Sequence, residues 1–173
     1  MKQFGGSAVF LDRSDINTDE IIPAKYLTEN SKMALKPYIL EDLKLTGFEP
    51  SSSELKNAGA LVTRANFGCG SSREHAVWVF EVNDINVVIG ESFARIFRQN
   101  MFNCGMLAIA LGKEDIDRLF QLGSGTEIAV DMEKSIVIAK GGGKEEQIPF
   151  VLNSFDRELV RAGGWLQYAD KNY

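Results

Sequence analysis

Residues 59–82, GALVTRANFGCGSSREHAVWVFEV, hold an apolar run, a glycine-rich loop and an amphipathic segment in that order. The first eight residues are short, apolar and bounded by turn formers, which predicts a strand over 59–66. Apolar residues then recur at helical spacing over 72–82. A second apolar run, INVVIG (85–90), predicts a buried strand. Strand, helix and strand in succession imply a right-handed parallel crossover.

Working outward, the same alternation continues downstream. A helix is expected over 92–104, a strand over 106–111, and a helix over 113–123 that ends at Gly123. Residues 126–132 and 134–140 are joined tightly enough to predict a hairpin, with one more strand over 146–152 and a final helix over 154–163 capped by Ser154. Upstream, 7–12 predicts the first strand. The loop 13–27 is dense in Asp and Asn, and Pro23 lies inside it. Residues 32–45 carry a helical pattern broken at Pro37, and 46–59 carry loop signals throughout. The expected fold is a mixed α/β sheet with right-handed crossovers, formed by a single domain over 1–173, with mobile loops at about 13–31 and 46–57.

Composition narrows the functional classes. A formal net charge of -5 without a basic cluster argues against nucleic acid or an anionic membrane as the main partner. No apolar run approaches the roughly 20 residues that cross a bilayer, and the N-terminus lacks the apolar core of a secretory signal. Two cysteines, Cys69 and Cys104, and one histidine, His75, form no close-spaced ligand set. They predict reduced thiols in a cytoplasmic protein with no metal of its own.

The loop 66–76, NFGCGSSREHA, is richer than a connection requires. Gly68 and Gly70 permit positive φ and close approach of a ligand to the backbone. SSRE fits a capping box with Ser71 as N-cap and Glu74 reaching back, a purely structural explanation. Against it stands Arg73, a cation that opposes the helix dipole yet carries the fork that grips carboxylates. An arginine, hydroxyls and free N–H groups together describe a carboxylate pocket. The loop matches neither GxxxxGK[ST] nor GxSxG, and nothing in the spacing makes His75 a triad base for Ser71.

NFGCGSSREHA, followed by ESFARIFRQN (91–100) and preceded by DINTDEIIPAKYL (15–27), resembles the swivelling β/β/α domain of the aconitase family. Within that family it resembles the separate small subunits of 3-isopropylmalate dehydratases. The likeness spans about residues 7–112, with all three motifs in family order. It implies a hydro-lyase that moves a hydroxyl between adjacent carbons by dehydration and rehydration, in leucine biosynthesis. It also implies a [4Fe-4S] cluster held by a separate large subunit, in a heterodimer or heterotetramer that is inactive without that partner.

Carried over residue by residue, the resemblance makes Ser71 the catalytic base and Ser72 and Arg73 carboxylate-binding groups. Asp19 becomes an active-site carboxylate that orients a neighbour, although a turn role suits it equally on sequence grounds. Glu74 and His75 are expected in structural roles. Cys69 is expected to pack as a spacer, with a pKa lowered by the helix N-terminus. Arg95 and Arg98 share a helix face, for which solvation is the commoner explanation. In this family the loop after IIP is associated with substrate choice. Here it reads AKYLTENSK (24–32), where Thr28 and Glu29 offer no cation to a third carboxylate. An alkyl-substituted hydroxy-dicarboxylate fits best, with isopropylmalate ahead of citramalate, dimethylmalate and homoaconitate types. An independent serine hydrolase and a non-catalytic carboxylate-binding domain are the competing readings.

Overall fold

The protein is described by a computed structural model covering residues 1–173. Strand β1 (Gly5–Phe10) lies in the middle of a seven-stranded sheet, and the chain builds outward from it in two ways. On one side β2 (Ala58–Val62), β3 (Val87–Gly90) and β4 (Leu107–Ala110) follow in order, each parallel to its neighbour. On the other side β5 (Glu127–Asp131), β6 (Ile136–Gly141) and β7 (Lys144–Pro149) form an antiparallel meander. Parallel neighbours need long crossovers, and these carry the helices. Single turns α1 (Thr18–Ile21) and α2 (Ser53–Lys56) lie between β1 and β2. Next come α3 (His75–Glu81), α4 (Arg95–Asn103) and α5 (Lys113–Leu122), each after one parallel strand. The chain ends with α6 (Ser154–Ala162) and α7 (Trp165–Asn172).

The two halves of the sheet are buried differently, as their sequences require. Leu61, Val88 and Ala108 stand side by side in the parallel half and are all fully buried. Strands covered on both faces need continuous apolar runs, which GALV, VVIG and LAIA supply. In β5 to β7 only alternate residues such as Ile128, Val137 and Ile148 are buried, so one face meets solvent. Helix α5 packs on β2, β6 and β7, while α3, α4, α6 and α7 pack against one another in sequence.

The mixed sheet and the β5–β6 hairpin agree with the sequence expectations, but several local features differ, among them the cap of α6, which is Asn153 accepting from Asp156 N–H rather than Ser154. Residues 32–45 form no α-helix. A 3₁₀ segment, Lys32–Tyr38, gives way to Leu40 at φ 55°, whose N–H donates to the Ile21 carbonyl at 2.8 Å. A tertiary hydrogen bond and burial of Leu35, Leu40 and Leu43 outweigh the helical pattern there. The loops 13–31 and 46–57, expected to be mobile, bury Ile16, Ile21, Ile22, Phe48 and Leu55. Helices α3 and α4 each start three residues later than expected, because 72–74 and 92–94 are used in loop contacts. Helix α7 was not anticipated: Gly163 and Gly164 end α6, and the exposed Trp165 and Leu166 hide its apolar face from a sequence-based assignment.

Candidate active site

The three sequence motifs meet at the end of β2. Residues 16–22 run beside 68–73, and the fit is a ladder of hydrogen bonds. Gly68 N–H donates to the Ile16 carbonyl at 2.9 Å, and Thr18 N–H donates to the Cys69 carbonyl at 2.9 Å. Ser71 N–H donates to Thr18 Oγ1 at 3.1 Å. Arg73 Nη1 then reaches Asp19 Oδ1 at 2.7 Å and the Ile22 carbonyl at 3.3 Å. On the other side Ala94 N–H donates to the Phe67 carbonyl at 3.0 Å, and Ser92 Oγ accepts from Asn66 N–H at 2.8 Å. Asn100 Nδ2 donates to the Ser72 carbonyl at 3.4 Å.

Glycine at 68 is a steric requirement. Its φ is +82°, and a Cβ there would stand 2.2 Å from Phe97 Cγ. Phe97 is buried and meets Phe67 edge-on at 5.4 Å, so it has nowhere to retreat. Gly68→Ala is expected to cost about 2–3 kcal/mol through left-handed strain and overpacking. Chemical denaturation of the isolated chain measures this, and an unchanged midpoint would show that Phe97 can move aside.

The capping box expected at Ser71 and Glu74 is absent. Helix α3 begins only at His75, and Glu74 at its N-cap makes no side-chain cap. The capping box occurs instead at α1, where Asn17 accepts from Glu20 N–H at 3.0 Å and Glu20 accepts from Asn17 N–H at 3.1 Å. The hydrogen bond from Arg13 draws the Glu20 carboxyl below its ordinary range, so this turn is held by charge as well as by capping. Leaving α3 uncapped has a consequence. The backbone N–H groups of residues 72 to 76 find no acceptor within the chain. Five consecutive donors are thus left free in the stretch that follows the exposed Ser71 and carries the exposed Ser72 and the Arg73 guanidinium.

Arg73 is nearly enclosed, with its side chain 11% exposed, while Asp19 is open to solvent. Its Nε is buried without an acceptor. Ser71, Ser72, Arg73 and Asp19 are therefore brought together. Thr28 is not bonded to any of them. It sits exposed on the turn after the 3₁₀ segment Ala24–Tyr26. Its loop is tied to the site only through the Glu29 carbonyl, 3.4 Å from His75 Nε2, and His75 in turn packs on Trp78. Sequence reasoning passed over Thr18, Asn100 and the Ile22 carbonyl. The one available signal was Thr18 beside Asp19 within the motif NTDE.

Two further expectations change. Cys69 does not lie at a helix N-terminus, and burial, with Asp15 adding to it, raises its pKa rather than lowering it. Arg98 is not on a solvated face. Its Nε donates to the Ala108 carbonyl of β4 at 3.1 Å, and burial lowers its pKa. Cys104 is pushed up to about 11, chiefly by burial. A raised thiol pKa favours the folded state below the unfolded value of about 8.5, and that contribution is lost as pH rises toward 11. At pH 8 Cys104 is expected to react with a disulfide reagent about 10²-fold more slowly than in denaturant. Equal rates would show that the thiol is open to solvent.

The two free thiols cannot hold an iron–sulfur cluster, which needs three or four, and no three His, Cys, Asp or Glu side chains converge as a metal site. The chain itself does not fit that cofactor. No helix is long and apolar enough to cross a membrane.

Residues 1–114, which contain all three motifs, match the sequence profile of the aconitase C-terminal domain. The chain belongs to the aconitase C-terminal domain family. Members of this family similar to it include the 3-isopropylmalate dehydratase small subunit of Buchnera aphidicola subsp. Schizaphis graminum, 40% identical over 92% of this chain and 81% of that one. The 3-isopropylmalate dehydratase small subunit 2 of Deinococcus radiodurans is 39% identical over 90% of this chain and 71% of its own. A crystal structure of 3-isopropylmalate dehydratase (leuD) from Methanocaldococcus jannaschii superposes with a TM-score of 0.80 at 30% identity. The match covers 98% of this chain and 94% of that one. The aconitase-type segment ends near α5, so the meander and the two C-terminal helices are supported by these longer matches.

Proposed function

We propose that this chain is the small subunit of a hydro-lyase that interconverts 2- and 3-isopropylmalate in leucine biosynthesis. The observation that carries this reading is the arrangement around Arg73, a nearly buried guanidinium beside two exposed serines and five unpaired backbone donors. Such a site grips a carboxylate and holds the neighbouring carbon against a hydroxyl. Ser71 takes and keeps the proton from that carbon, while the hydroxyl on the adjacent carbon departs as hydroxide with the C–O electron pair, leaving an alkene. Rehydration in the opposite sense returns the proton to the other carbon and yields the isomer. Ser72 and Arg73 hold the carboxylate throughout, and Asp19 holds Arg73.

Serine is a poor base in water. Its alkoxide is stabilised here by Arg73 and the free N–H groups of 72 to 76, since α3 begins too late to supply a capped helix end at Ser71. The second half of the site, with the [4Fe-4S] cluster, is assigned to a separate large subunit in the cytoplasm. Thr28 is assigned to the alkyl side of the substrate, reaching it when the loop 24–31 settles against that partner. Movement on docking belongs to the outer turns of 13–31 and 46–57, because Ile16, Ile22 and Leu55 pin their inner sides.

The test is anaerobic reconstitution with a cluster-loaded large subunit from the same organism, following 2- and 3-isopropylmalate. Turnover by the mixture alone supports the assignment. Binding of the large subunit without turnover of isopropylmalate moves the substrate to another hydroxy-dicarboxylate. Activity of the isolated chain would replace the reading with an independent enzyme.

A further inference from the structure

Thr18 is the most enclosed polar side chain at the site, with 1% of its surface exposed. A threonine at the first position of a four-residue helix has no helical need to be buried, because the cap belongs to Asn17. Its N–H and its hydroxyl both face the loop that carries Ser71. The N–H donates to the Cys69 carbonyl at 2.9 Å, and Oγ1 accepts from Ser71 N–H at 3.1 Å. Those two bonds span Gly70, whose φ is +100°. A Cβ at residue 70 would stand 3.3 Å from Thr18 Oγ1, so the missing side chain is what lets the hydroxyl pass beneath the loop.

Ser71 has no other anchor. Its side chain makes no hydrogen bond within the chain, and its N–H bond to Thr18 is the only tie between residues 70 and 72 on that side of the loop. Beyond it, Ser72 is held through its carbonyl by Asn100, and Arg73 through its guanidinium by Asp19. The carboxylate-gripping residues are therefore anchored independently of the serine that precedes them.

We infer that Thr18 is a positioning residue for Ser71, fixing the backbone from which the proton-abstracting hydroxyl projects. This inference rests on the hydro-lyase reading and on the role given there to Ser71. Displacement of a reacting group by about 1 Å costs on the order of 10²-fold in rate, whereas a separately anchored binding group keeps its affinity. The signature is thus a fall in kcat with little change in KM.

The experiment compares Thr18→Val, Thr18→Ser and Ser71→Ala in the complex reconstituted with its cluster-bearing subunit. Thr18→Val, which keeps the shape but loses the acceptor, is expected to lower kcat by about 10²-fold with KM within about threefold. Thr18→Ser keeps the acceptor and is expected to restore kcat to within about threefold. On a Ser71→Ala background, Thr18→Val should cost nothing further, a non-additivity that a general packing role would not produce. If Thr18→Val does not fold, Thr18→Ala takes its place, since it removes the acceptor without pressing a methyl against the Ser71 N–H. Wild-type kcat in a variant lacking the hydroxyl, or equal losses in Thr18→Ser and Thr18→Val, would overturn the inference. A fully active Ser71→Ala enzyme would instead remove the base from Ser71, and with it the ground for a positioning role. An inactive Ser71→Ala beside a fully active Thr18→Val sinks only the present inference.

Discussion

Ser71→Ala is expected to fold and assemble normally and to lose turnover by about 10³-fold or more, the scale of a lost general base in this kind of proton transfer. The fold should not notice the change. Ser71 is exposed, and only its backbone N–H is bonded, to Thr18 Oγ1. Removal of one exposed hydroxyl with no partner stays within about 0.5 kcal/mol of the parent stability. The decisive comparison is therefore between thermal denaturation, subunit assembly by size-exclusion chromatography, and steady-state isomerisation of isopropylmalate. Loss confined to the last establishes a chemical role. Retention of more than about a tenth of the activity would pass the base to another group, because no residual pathway lacking a general base is that efficient.

Arg73→Lys is expected to lower kcat/KM by about 10³-fold, the scale for replacing a buried bidentate carboxylate grip by a point charge. The geometry shows why lysine cannot substitute. One nitrogen, Nη1, is already committed to Asp19 and the Ile22 carbonyl, and the buried Nε has no acceptor within the chain. A lysine ammonium can take over the Nη1 contacts, but it leaves nothing of the planar edge that remains for the substrate. A carboxylate grip of the kind proposed acts in both the ground and transition states, so most of the loss should appear in KM. Steady-state kinetics of the reconstituted complex with both isomers measure this. A KM within about threefold of the parent would show that the carboxylate is held elsewhere, by the free N–H groups of 72 to 76.

Much of the fold was legible because burial writes itself into composition. The runs GALV, VVIG and LAIA become β2, β3 and β4, each covered on both faces, and between them the chain has room only for crossovers. The alternating pattern of 126–140 likewise becomes the β5–β6 hairpin, whose outer face is wet. Where one local preference met a long-range partner, the partner prevailed. The segment 32–45 has the spacing of a helix, yet Leu40 gives its N–H to Ile21, more than eighteen residues away along the chain, and the helix is not completed. SSRE has the form of a capping box, yet Ser71 gives its N–H to Thr18, and α3 waits until His75.

The sequence by itself determined the succession of strands and crossovers and the residue types at the site, which follow from local composition and spacing, and its three motifs carried the resemblance to the family. Only the tertiary structure decided how those residues face one another. Fifty-three positions separate Thr18 from Ser71, and fifty-four separate Asp19 from Arg73. No periodicity reaches across such a gap. The pairings exist because β1 and β2 lie parallel, which brings the segments leaving them to the same end of the sheet. The uncapped donors of 72 to 76 arise in the same way, from a loop whose Ser71 is tied through its N–H to a distant helix instead of capping its own.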